Sequence, residues 1–91
     1  MPNERYAVIL TRSADREMQK LPEQVQRRIV RSLERLETNP RARGVIKLEG
    51  EADLYRLRVG DYRVVYRIQD DRLIVLVVRV AHRRDAHRGG G

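Results

Sequence analysis

The stretches YRLRVGDYRVVYRI, Tyr55 to Ile68, and LIVLVVRVAHRRDAHR, Leu73 to Arg88, decide how this chain folds. They contain three segments rich in β-branched and aromatic residues: Leu54 to Val59, Tyr62 to Ile68 and Leu73 to Val80. Gly60-Asp61 and Gln69-Asp70-Asp71 separate them, short connections with turn chemistry, so the three are expected to pair as an antiparallel meander. Side chains alternate across a strand, so Arg56 and Arg58 share one face while Tyr55, Leu57 and Val59 take the other. Tyr55, Tyr62 and Tyr66 have inward parity and read as core. Leu73 to Val80 is apolar on both faces until Arg79, which predicts an interior strand covered on both sides.

Upstream, Arg5 to Leu10 (RYAVIL) predicts a short strand. Ser13 suits the N-cap of a first helix, with Asp15 and Glu17 in its acidic first turn. Ala14, Met18 and Leu21 form its apolar stripe. Pro22 suits the start of a second helix, where Val25, Ile29, Leu33 and Leu36 recur at helical spacing until Asn39-Pro40 ends it. Its charged face, Arg27, Arg28, Arg31 and Arg35 with Glu34, reads as solvated surface or a partner-binding face. A loop through Gly44 and Gly50 leads into the sheet. The order is strand, helical hairpin, then three strands, an α+β domain with the hairpin on one sheet face and Arg56, Arg58 and Arg63 on the other. One domain is expected over residues 1–88, with Gly89, Gly90 and Gly91 as a disordered tail.

Ninety-one residues make one small domain with a modest core. No cysteine is present, which removes disulfides and thiolate zinc sites and is compatible with a reducing compartment. The apolar run Leu73 to Val78 is too short to cross a bilayer, and no signal-peptide pattern opens the chain. A cytoplasmic protein without membrane contact is the expectation. The net charge of +7 comes from 18 arginines and 2 lysines against 13 acidic residues. Residues 54–91 carry 9 basic and 4 acidic groups, against 11 and 9 in residues 1–53. That asymmetry points to nucleic acid or an acidic protein segment as partner.

Tyr55-Arg56-Leu57-Arg58, Val59-Gly60-Asp61, Tyr62-Arg63-Val64-Val65-Tyr66 and Ala81-His82-Arg83-Arg84-Asp85-Ala86-His87, with Lys47-Leu48-Glu49-Gly50 ahead of them, resemble the RelE/ParE toxin superfamily, and its RelE branch in particular. The resemblance covers essentially the whole chain. It implies a type II toxin–antitoxin toxin that cleaves messenger RNA in the ribosomal A site, with an acidic RelB-like antitoxin as partner and a complex made oligomeric through that antitoxin. The implied reaction is attack of a ribose 2′-hydroxyl on the adjacent phosphate. It needs a base, cations for the dianionic phosphorane and an acid for the leaving 5′ oxygen, and no metal or cofactor.

Carried over by motif, Arg56, Arg58, Arg63 and Arg83 take the phosphate-handling positions, since the guanidinium fork matches phosphate oxygens and stays charged. Two departures from the family pattern bear on proton transfer. Arginines stand where well-known members have lysines, and arginine is a poor general base. His87 stands where many members have a base-stacking tyrosine. Histidine titrates near neutrality and still stacks, so His87 is the first candidate for base or acid and His82 the second. His82 also reads as a structural residue at the end of the last strand, and His87 as a surface side chain. Arg67, Arg79 and Arg84, with His82, are candidate RNA contacts; these arginines and Arg72 read equally as antitoxin contacts or solvated surface. The competing reading is a ParE-like gyrase inhibitor without nuclease chemistry; a third is a catalytically weak RelE homologue.

Overall fold

A computed structural model describes residues 5–50 and 53–85. Strand β1 (Ala7–Leu10) leads into helices α1 (Arg12–Gln19) and α2 (Glu23–Leu36), followed by β2 (Ile46–Lys47), β3 (Leu54–Val59), β4 (Tyr62–Gln69) and β5 (Ile74–His82). The strands form one sheet in the order β1-β5-β4-β3-β2. β3, β4 and β5 pair antiparallel as expected, but they are the centre of a five-stranded mixed sheet. β1 adds to β5 in parallel and β2 adds to β3 antiparallel. β2 replaces part of the expected loop; its two residues are both exposed, so no periodicity announces it.

The helical hairpin covers one sheet face. Ala14 and Met18 of α1 and Ile29, Leu33 and Leu36 of α2 pack with Val64, Tyr66, Ile68, Val75, Val77 and Val80. Each large apolar side chain buried this way contributes about 1.5–3 kcal/mol. The α2 stripe forms as its spacing requires, with Val25 half-buried at its start. Helix α1 is capped by Thr11 rather than Ser13. The Thr11 hydroxyl accepts the Ala14 N–H at 3.2 Å, while the Thr11 N–H is still in the sheet, donating to Val77 O at 2.9 Å. A residue that ends a strand and caps the next helix fixes the angle between them.

Strand β5 is interior in the sheet, between β1 and β4, but only one of its faces is fully covered. Both helices lie on the Val75 and Val77 side, so Ile74, Leu76 and Val78 stay half-exposed. A β-bulge sets which side chains turn inward along the rest of β5. Val65 pairs with Arg79 but Tyr66 pairs with Val77, leaving Val78 as an extra residue in β5. Without it, the alternation of Val75 and Val77 would carry Arg79 into the core; with it, Val80 takes that place and is 2% exposed. Beyond Leu10, where β1 stops pairing, Glu17 of α1 takes over the bare edge of β5. Its carboxylate accepts the Val80 N–H at 2.8 Å. Residues 83–85 form a single helical turn. The rest of the expected basic tail, including His87 and the terminal glycines, lies outside the described residues.

Candidate phosphate-binding site

The uncovered sheet face carries arginines where strand parity puts them. Arg58 on β3 stands directly opposite Arg63 on β4, and Arg63 stands opposite Ala81 on β5. Arg56 joins them one step along β3, opposite Val65. At the adjoining end of the sheet, the Arg83 N–H donates to Asp61 O at 2.7 Å, which fastens the turn after β5 to the β3–β4 turn. Arg58 Nε donates to Gly60 O at 3.3 Å in that same turn, where Gly60 adopts a φ of 59° that suits glycine.

The other three guanidiniums act on Arg63. Burial and then the charges of Arg58, Arg56 and Arg83 hold the Arg63 pKa below the ordinary arginine value, and only the Asp61 charge opposes them. Like charges directly opposite across a strand pair destabilise the fold. Among the described residues none of the four forms an ion pair with a carboxylate. Arg63 Nη1 is buried with no hydrogen-bond partner. A buried donor without an acceptor is costly, and an anionic oxygen is the group that would satisfy it.

The other candidates are disposed differently. Arg67 pairs with Asp53 at 2.6 Å. Arg79 Nε lies 3.7 Å from Glu17 Oε2, an ion-pair separation rather than a hydrogen bond, and its Nη2 reaches Asp85 O at 3.3 Å. His82 pairs with Tyr62, on the helix side of the sheet, with the rings edge to face and their centroids 5.2 Å apart. Its Nδ1 accepts the Arg84 N–H at 3.2 Å, so His82 closes the end of β5. Arg84 is exposed. Asp61 was legible only as a turn residue; its place in the Gly-Asp turn beside Arg58 and Arg63 was the available sign of a carboxylate next to the cations. Among the described residues no cluster of three or more His, Asp or Glu could hold a metal ion.

Residues 8–87 match the family model for the ParE toxin of type II toxin–antitoxin systems. The chain belongs to the RelE/ParE toxin family. Within it the similarity is to the RelE branch. The chain is 33% identical over 84 residues to toxin RelG of Mycobacterium tuberculosis, covering 91% of this chain and 97% of that one. Among solved structures, it is similar to the archaeal RelE–RelB complex from Pyrococcus horikoshii, with 35% identity, a TM-score of 0.77 and coverage of 86% and 94%. The intact Escherichia coli RelBE complex gives 30% identity, a TM-score of 0.75 and coverage of 85% and 95%. As a member of this family the chain is a toxin of a type II toxin–antitoxin system. No helix among the described residues is long and apolar enough to cross a membrane.

Proposed function

We propose that this toxin is a metal-independent endoribonuclease that cuts messenger RNA in the ribosomal A site. The observation that carries the reading is the buried, unpartnered Nη1 of Arg63, set among three further arginines that have no carboxylate partner among the described residues. In the proposed reaction the ribose 2′ oxygen attacks the adjacent phosphorus. A pentacoordinate phosphorane forms, and the bond to the 5′ oxygen breaks, leaving a 2′,3′-cyclic phosphate and a free 5′-hydroxyl. Arg63 and Arg83 stabilise the two non-bridging oxygens of the phosphorane, and Arg56 and Arg58 hold the strand on either side. Guanidiniums do not exchange protons near neutrality, so His87 is assigned the proton transfer, with alignment by the ribosome carrying part of the barrier. Arg84, exposed and without an ion pair among the described residues, is assigned a secondary contact along the RNA path, while Arg67 and Arg79, held by Asp53 and Glu17, are assigned to the scaffold.

An acidic RelB-like antitoxin is the proposed partner, since the similar solved structures are complexes of RelE with RelB. Covering the arginine face, it would supply the missing carboxylates and raise the toxin's stability by mass action. A gyrase-directed activity is the second reading, favoured by the ParE description of the matching family model. Induction of the toxin followed by mapping of message ends on ribosomes tests both. Cuts within translated regions are expected; intact messages with trapped gyrase–DNA complexes would overturn the nuclease reading.

A further inference from the structure

Strand β2 covers the outer edge of β3 only as far as Arg56, so among the described residues the edge from Leu57 to Val59 has no strand partner. A cavity of about 430 Å³ opens there, between that edge, the second half of α2 and the loop that joins α2 to β2. Arg35 and Ser32 of α2, Arg43 of the loop and Arg58 of β3 supply its polar wall, over a floor that includes Leu36 and Leu57. No carboxylate among the described residues lines it. Among the described residues Arg35, Arg43 and Arg58 form no ion pair. A further cation stands at its rim: the Arg28 guanidinium lies against Gly60, where an added Cβ would meet Arg28 Nη2 at 3.3 Å.

We propose that this cleft is a second phosphodiester site, which carries an RNA strand from the arginine face of the sheet around the edge of β3 and onto α2. The proposal rests on the RNA-directed reading above and extends it. Two features favour an RNA backbone. Guanidiniums and a hydroxyl are donors that suit phosphate oxygens, and the lining holds no aromatic ring on which a base could stack, so binding there is independent of sequence. Arg58 belongs to both places, lining the cleft while standing opposite Arg63. A strand seated on Arg63 has to leave the sheet over an edge, and the stretch of β3 beyond β2 is the cationic way out.

The test uses the full chain, wild type and the double variant Arg35→Ala, Arg43→Ala, with a single-stranded oligoribonucleotide of mixed sequence. Dissociation constants are measured against salt concentration, alongside cleavage of message on saturating ribosomes. The double variant is expected to lower the slope of log affinity against log salt by about 1.4, the share of two phosphates on a single strand. Its urea midpoint and its cleavage rate on saturating ribosomes should match the wild type, because both side chains are exposed and unpaired. Equal salt slopes would overturn the cleft, whether or not the wild type cleaves. A loss confined to binding of poly-glutamate would also overturn it and make the cleft a protein-docking surface. The slope difference with a wild type that cleaves nothing would uphold the cleft and overturn the nuclease reading.

Discussion

The two ends of this sheet use arginine in opposite ways. At the β4–β5 turn, Arg41 grips Asp70 with both terminal nitrogens, at 3.1 and 2.7 Å, and its guanidinium lies 5.4 Å from the Tyr55 ring centroid. Tyr6 donates to the same carboxylate at 2.6 Å. At the β3–β4 turn, burial and then the charges of Arg58, Arg56 and Arg83 lower the Arg63 pKa, and among the described residues none of the four has a carboxylate partner. One end is a clasp that ties β1, the α2–β2 loop and the β4–β5 turn together. The other is a cluster of like charges that lacks any such carboxylate among the described residues. Partnering, rather than the number of arginines, separates scaffold from site.

Breaking the like-charged end should cost activity and spare the fold. Arg63→Ala should slow message cleavage ~100- to 1000-fold, the usual effect of removing one donor to a developing oxyanion. Its urea midpoint should equal or exceed the wild type's, since the change removes a repulsion and an orphaned buried donor. Rapid cleavage by this variant would remove Arg63 from the site.

At the clasp end the effects should fall on stability instead. Tyr66 is fully buried and its hydroxyl donates to Pro40 O at 2.7 Å. Burial pushes its pKa above the ordinary tyrosine value, so it stays a protonated donor. Tyr66→Phe leaves that carbonyl without its partner and should cost about 1–3 kcal/mol in urea unfolding. A loss near zero would mean that water replaces the hydroxyl.

The smallest effect sharpens the contrast through pH. The hydrogen bonds from Arg41 and then Tyr6 hold Asp70 at a pKa of about 2, below the ordinary carboxylate value of 3.8. A carboxylate depressed on folding contributes stability that is complete above its unfolded pKa and disappears as pH falls through the folded one. Wild-type stability should therefore decline between pH 3.8 and about 2, and Asp70→Asn should lack that part of the decline. Parallel urea midpoints for the two proteins across that window would show that the clasp does not form.

Much of this was legible in the residues themselves. The spacing of Val25, Ile29, Leu33 and Leu36 gives α2, Gly60-Asp61 gives the hairpin, and strand parity places Arg56, Arg58 and Arg63 on one face. What stayed hidden depends on partners distant in sequence. Glu17 reaches Val80 across 63 residues and Arg41 reaches Asp70 across 29. The parallel pairing of β1 with β5 is of the same kind. The bulge at Val78 is hidden for another reason, since a run of valines carries no mark of which one is extra. Thr11 and Ser13 are equivalent caps by composition, and only the ladder bond from the Thr11 N–H to Val77 decides between them.

In the proposed division of labour, the arginines at the β3–β4 end act on RNA and Arg41 at the β4–β5 end holds the fold. Single-turnover cleavage of message on programmed ribosomes by Arg41→Ala, set beside Arg63→Ala, tests it most directly. Folded Arg41→Ala is expected to cut at the wild-type rate, with Arg63→Ala ~100-fold slower or worse. Equal losses in the two variants, or a larger loss in Arg41→Ala, would contradict it.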